Sequence, residues 1–146
     1  MKVTIELQQQ LLEPYAIIYT NQMTDDLQRA IEILENDPMS QVLVLEQEEK
    51  YIIVKPSDIY MVRFEEQRVV FYGESKKYTS RLRLYEVEEK LGRQFMRISK
   101  TTLINLAHID SVEPSFSGTM CLHLKNGCKD NISRRYLVDF KKYLGL

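Results

Sequence analysis

The sequence predicts a mainly β protein with short helices: an antiparallel sheet domain preceded by a small α/β segment. Three observations carry this. Between residues 41 and 80, short apolar runs are separated by polar tips, the signature of strands joined by tight turns. Asn126-Gly127 punctuates two further alternating stretches, and helical spacing is confined to three short pieces.

At the N-terminus, Val3, Ile5 and Leu7 alternate with Lys2, Thr4 and Glu6, the period of a half-buried strand. Pro14–Thr20 reads as a second strand. Thr24 is an expected N-cap, with Asp25 and Asp26 in the first turn, where the helix dipole favours negative charge. Leu27, Ala30, Ile31 and Leu34 then share one helix face, and Asn36-Asp37-Pro38 ends the helix. Residues 1–40 are therefore expected to form an α/β segment ahead of a domain over residues 41–146.

In that domain Val42–Leu45 and Tyr51–Val54 read as strands around an acidic tip, Glu46–Lys50. Pro56-Ser57-Asp58 makes a turn or a single helical turn before Ile59–Val62. A polar tip, Glu65-Glu66-Gln67, leads to Arg68–Tyr72, and Gly73–Thr79 supplies a further turn and strand. Leu84, Val87 and Leu91 have helical spacing with Gly92 at the C-cap position, so a short helix is predicted over residues 83–91.

The stretch from Arg93 to Val112 has two parts. Leu103, Ile104, Leu106, Ile109 and Val112 can anchor it in a core, while Ser99, Lys100, Thr101 and Thr102 form a basic, hydroxyl-rich lip. Such a lip on a rigid anchor suits contact with phosphates and base edges. Asn105 is expected to be a core or turn hydrogen-bonder, and Arg97 has Glu86–Glu89 within reach as ion-pair partners.

The hairpin from Met120 to Ile132 can be argued in register. A two-residue Asn126-Gly127 loop would pair Leu124 with Lys129 and mix faces. A three-residue loop with Gly127 left-handed pairs Leu124 with Cys128 and Met120 with Ile132. The second register is expected, and it puts Cys121 and Cys128 on opposite faces, unbridged. From Ser133 onward, Tyr136, Leu137, Phe140, Tyr143 and Leu144 line one helix face, with Tyr136 and Tyr143 expected in the core. Arg134 and Arg135 are expected to project from the strand–helix junction without being consumed by packing.

Composition excludes several classes. No apolar run approaches the roughly 20 residues of a membrane span, and the first residues lack the apolar region of a signal peptide, so cytoplasm is the expected compartment. No Gly-rich phosphate loop or nucleophile elbow is present, and no nucleophile, base and orienter can be assembled into an enzyme site. His108 and His123 lack ligand-like neighbours in sequence, so neither metal nor other cofactor is expected. Charge is divided instead: residues 1–75 carry six Lys/Arg against fourteen Asp/Glu, net −8, and residues 76–146 carry fourteen against seven, net +7. Such asymmetry suits either a polyanion-binding face or attraction between the halves.

From about Gln41 to Leu146 the chain resembles LytTR DNA-binding domains. The resemblance rests on Asp58-Ile59 entering a strand, the short helix ahead of Phe95, the run Phe95-x-Arg97-Ile98-Ser99-Lys100-Thr101-x-Leu103-Ile104-Asn105-Leu106-x-x-Ile109, and the Asn126-Gly127 hairpin followed by Ile132–Tyr136. It implies a small antiparallel β domain whose loops, rather than a recognition helix, enter successive major grooves. Family reading positions then fall on Gln67 or Arg68 at the first tip, where Glu65 and Glu66 add two negative charges. They fall next on Ser99, Lys100 and Thr101, and last on Asn131 through Arg134 and Arg135. Lys100 and Arg135 are the foremost candidates, since Lys and Arg can contact guanine O6 and N7. The likeness is to stand-alone regulators of Gram-positive bacteria, which implies binding of double-stranded DNA at repeated half-sites as a homodimer or paired monomers. By analogy it also implies restraint by a small membrane protein encoded alongside. The rival from another class is a protein–protein module whose basic half docks on an acidic partner.

Overall fold

The computed structural model describes residues 1–35 and 42–146. Two units make up the chain, Met1–Asp37 and Pro38–Leu146.

In the first unit the regular element is helix α1 (Asp25–Glu35). Thr24 caps it as expected, its Oγ1 accepting the Leu27 N–H at 3.2 Å. Leu27 is the buried residue of the apolar face. The two strands expected here do not form: residues 2–7 and 14–20 have no regular structure and pair with no strand, and Val3, Leu7, Tyr15 and Tyr19 are exposed. Alternation makes a strand amphipathic but supplies no hydrogen-bonded neighbour, and an unpaired strand is not stable alone. The expected helix stop at 36–38 and the boundary at residue 40 lie outside the described residues.

The described residues of the second unit form ten strands: β1 (Leu43–Gln47), β2 (Lys50–Val54), β3 (Met61–Glu65), β4 (Arg68–Tyr72), β5 (Lys77–Ser80), β6 (Phe95–Arg97), β7 (Thr102–Asn105), β8 (Ile109–Pro114), β9 (Met120–Leu124) and β10 (Lys129–Ile132). Helix α2 (Leu84–Leu91) lies between β5 and β6, and α3 (Arg134–Leu144) follows β10. All pairings are antiparallel; one sheet runs β2-β1-β5-β4-β3-β7-β6, the other β10-β9-β8. This is the mainly antiparallel β architecture with short helices that the sequence predicts.

The central strands of the larger sheet are apolar on both faces, which explains their continuous rather than alternating runs. On β3 and β7, Val62 and Leu103 enter one core with Val69, Phe71 and the α2 residues Leu84, Val87 and Leu91. Their neighbours Met61 and Ile104 face the other core, with Leu122 and Ile132 of the small sheet and Leu137 and Phe140 of α3. Deleting a fully buried ring such as Phe71 or Phe140 would cost about 3–5 kcal/mol.

Local expectations fare well in this unit. Pro56–Asp58 is a single 3-10 turn, and Gly92 caps α2 at φ 65°. The β9–β10 register pairs Met120 with Ile132, the Leu124 N–H donates to the Cys128 carbonyl at 2.8 Å, and Gly127 is left-handed at φ 90°. Both cysteines are free. On α3, Leu137 and Phe140 are buried and Tyr136 packs beside them, but Tyr143 is 53% exposed. The last turn of α3 overhangs the core, so its apolar spacing continues past the surface it could cover.

Candidate nucleic-acid interface

The candidate residues fall in three segments, two at turns between paired strands and the third where β10 passes into α3. The first is the β3–β4 turn. Glu65 pairs with Arg68, so Glu66 and Gln67 alone make the loop, at φ 49° and 65°. Two positive φ values fit the twist of a two-residue hairpin, at a strain cost for residues other than Gly or Asn. Glu65 does not burden this tip as its position suggests. Its carboxylate accepts from the Tyr72 hydroxyl and lies 3.6 Å from the Arg63 guanidinium. Burial, then the hydrogen bond and charge of Glu65, push the Tyr72 phenol up to about 12. Only Glu66 is left outward with Gln67 and Arg68.

The second segment is the loop between β6 and β7. Ile98 is fully buried and fixes one end. Arg97, only 19% exposed, pairs with Glu88 of α2 at 2.9 Å and donates to the Lys100 carbonyl at 2.9 Å. Arg97 is thus a brace. The Thr101 N–H donates to Ser99 Oγ at 3.2 Å, closing the turn, and the Phe64 N–H holds the Thr101 carbonyl at 2.8 Å. Among the described residues the Lys100 ammonium has no partner, and it stands in solvent.

The third segment runs from Asn131 to Arg135. The Ser133 N–H donates to the Ile98 carbonyl at 2.9 Å, which sets this segment directly beside the second. Thr102 Oγ1 donates to Asp130 at 2.7 Å, and Arg63 reaches both Asp130, at 3.3 Å, and the Lys129 carbonyl, at 3.2 Å. Arg63 Nε meets Asp130 as a charge contact outside hydrogen-bond geometry. These bonds stitch the small sheet to the large one beneath the loops.

Arg134 and Arg135 part company here. Arg134 is exposed, but part of its guanidinium is occupied: its Nε donates to the Ser117 carbonyl at 2.9 Å, and a second guanidinium nitrogen shares that acceptor. Ser117 sits left-handed, φ 63°, in the β8–β9 turn, which aims its carbonyl at the arginine. Arg135 is exposed and leans over the Tyr136 ring, 5.6 Å from its centroid. Asn131 is exposed on β10 with its side-chain amide unpaired among the described residues.

An open groove joins the first two segments. Gln67, Arg68 and Lys100 line it with Arg81, Arg83 and Glu46. Sequence reasoning missed Arg81 and Arg83; their signal was a basic pair on either side of Leu82, which the fold brings opposite Lys100. Arg81 is 92% exposed and within 3.6 Å of Glu46, a pairing worth little in solvent. Asn105 meets its expectation: buried, it donates to the Ile59 carbonyl at 2.9 Å and accepts from Ala107 N–H at 3.0 Å. His108 stacks on Tyr60. His123 departs from expectation: Glu113 and Cys121 both lie beside it.

What the arrangement can do is present cations, hydroxyls and amides from braced turns to a polyanion. Among the described residues no helix is long and apolar enough to cross a membrane. The family described as the LytTr DNA-binding domain matches residues 49–145. The LytTr DNA-binding domain of a Bacillus cereus protein described as a methyl-accepting/DNA response regulator superposes with TM-score 0.68 at 25% identity, covering 73% of this chain and 98% of that one. An uncharacterised HTH-type transcriptional regulator of Staphylococcus aureus is 28% identical over 146 residues, all of this chain and 99% of its own. The sensory transduction protein LytT of Enterococcus faecalis is 31% identical over 113 residues, 77% of this chain, and the matched part spans 47% of that longer protein. No two α-helices are consecutive among the described residues of the second unit, so no helix pair carries the cations: Lys100 stands on the β6–β7 loop, and Arg134 and Arg135 open the first turn of α3. The chain belongs to the LytTR family and carries its DNA-binding domain.

Proposed function

We propose that this protein is a transcription regulator that binds double-stranded DNA sequence-specifically, reading major grooves with turn residues. Phosphate contacts from Ser99, Thr101, Arg68 and the spare N–H of Arg134 position it. Lys100 and Arg135 read guanine edges, and Gln67 and Asn131 offer amides suited to adenine. The observation that carries the reading is the hydrogen bond from Ser133 N–H to the Ile98 carbonyl. It ties the β6–β7 loop to the β10–α3 junction as one ledge, from which Lys100 and Arg135 extend without an ion pair among the described residues. The naming of full-length relatives as transcriptional regulators supports the regulatory role. One copy offers one ledge, so binding as a homodimer or paired monomers on repeated half-sites belongs to the same proposal, and residues 1–40 are the surface proposed for dimer or inhibitor contact.

Selection of duplexes from a random pool, followed by anisotropy titration at two salt concentrations, tests this. The expected result is a repeated motif spaced near one helical turn of roughly 10 bp, bound about a thousandfold or more tighter than scrambled DNA. Sequence-blind binding that fades with salt would instead favour a basic surface for an acidic protein.

A further inference from the structure

The outer face of the small sheet carries a second cluster that the DNA reading does not use. Cys121 and His123 are two apart on β9 and so project from one face, and Glu113 of β8 is the cross-strand partner of Cys121. The side chains meet at one atom. His123 Nε2 lies 2.9 Å from Glu113 Oε1 and 3.8 Å from Cys121 Sγ, and the three donor atoms lie within 4.8 Å of one another.

We infer that Glu113, Cys121 and His123 bind a borderline divalent transition-metal cation of the zinc type. Thiolate, imidazole and carboxylate form a mixed soft and hard donor set of the kind that zinc accepts, three protein ligands leaving a fourth position for solvent. Metal–ligand bonds of about 2.0–2.3 Å place tetrahedral donor pairs roughly 3.3–3.6 Å apart. The observed 2.9 and 3.8 Å straddle that range. Closing the site needs only small side-chain rotations, chiefly of Glu113, whose side chain is 63% exposed. An imidazole nitrogen facing both an anion and a thiol has one lone pair or one proton to offer them; a cation at that point satisfies all three. Ser111 and Lys129 flank His123 in register. The Lys129 ammonium opposes a cation, but its long stem leaves it free to stay in water. Cys128 lies on the opposite face, among the core residues, and takes no part.

The test uses the reduced full-length chain titrated with Co²⁺ alone, then with Zn²⁺. The expected result is a thiolate-to-cobalt charge-transfer band saturating at one equivalent, removed by Zn²⁺, and lost in Cys121→Ser but kept in Cys128→Ser. Glu113→Gln and His123→Gln, at accessible positions that leave the fold intact, should each shift saturation to higher cobalt. Zn²⁺ should also slow alkylation of Cys121 and not of Cys128. No band, a band that survives Cys121→Ser, or Zn²⁺ protection of neither thiol would overturn the inference.

Discussion

Arg97 and Arg134 each hold a turn by its backbone carbonyl, yet only Arg97 is itself held by a carboxylate. Its guanidinium lies between Glu88 and the Lys100 carbonyl, half-buried under the loop it shapes. Arg134 grips the Ser117 carbonyl from an exposed position, with no acidic partner among the described residues. Beside each brace stands a cation free of ion pairs among the described residues, Lys100 in one case and Arg135 in the other. Cationic side chains therefore divide into bonded and unbonded ones according to what lies within about 3 Å, and the two basic segments differ in how firmly that division is fixed.

The largest expected effect breaks both turns at once. Ile98 is fully buried and its carbonyl joins the two turns. Ile98→Ala should lower unfolding free energy by about 2–5 kcal/mol in a urea titration, and should weaken DNA binding beyond what either loop variant does. A loss below about 1 kcal/mol would mean that the site collapses around the smaller side chain and that the shared anchor is the backbone alone.

A pH experiment addresses the β3–β4 turn. Tyr72 keeps its proton to about 12 in the folded chain against 10.0 when free, so its contribution is complete below pH 10 and is lost as pH rises through about 12. Stability should fall by up to about 2–3 kcal/mol across that window, and Tyr72→Phe should flatten the fall. An unchanged slope in the variant would remove the Tyr72–Glu65 contact as the support of the β3–β4 tip.

Reading is tested next. Lys100→Ala and Arg135→Ala should each cost about 1–3 kcal/mol of specific binding and relax discrimination between sequences. Lys141→Ala, on the outer side of α3, should act mildly and equally on all sequences. Retention of full discrimination in both loop variants would move the reading site elsewhere on the ledge, Arg81 and Arg83 first.

Much of the larger unit was legible because its signals are local. Gly92 and Gly127 mark positions that need positive φ, and a one-residue slip of β9 against β10 would have turned Leu122 and Leu124 outward. What was not legible depends on distance in the fold. Val3, Ile5 and Leu7 alternate as well as any strand here, but pairing is a property of the neighbour. Arg134 and Arg135 are adjacent and chemically identical; only the approach of Ser117, seventeen residues earlier, separates them. Glu65 looks like a charge on an exposed tip until Tyr72 and Arg63 are brought beside it. His123 gained its neighbours in the same way, through a cross-strand pairing invisible in linear order.

The smallest expected effects decide whether brace and reader are truly distinct. Arg97→Ala removes an ion pair whose partners are 19% and 42% exposed, so after screening it should cost only about 1 kcal/mol of stability, and less at high salt. Arg134→Ala removes a donor from an exposed carbonyl that water can satisfy, and should cost about 0.5 kcal/mol or less, with little salt dependence. On DNA the order is informative in another way. A brace lost at Arg134 should weaken all sequences alike, because the β8–β9 turn loosens while Arg135 still reads. If Arg134→Ala instead erodes discrimination as far as Arg135→Ala, the Ser117 contact is a resting position that DNA replaces, and Arg134 belongs with the readers.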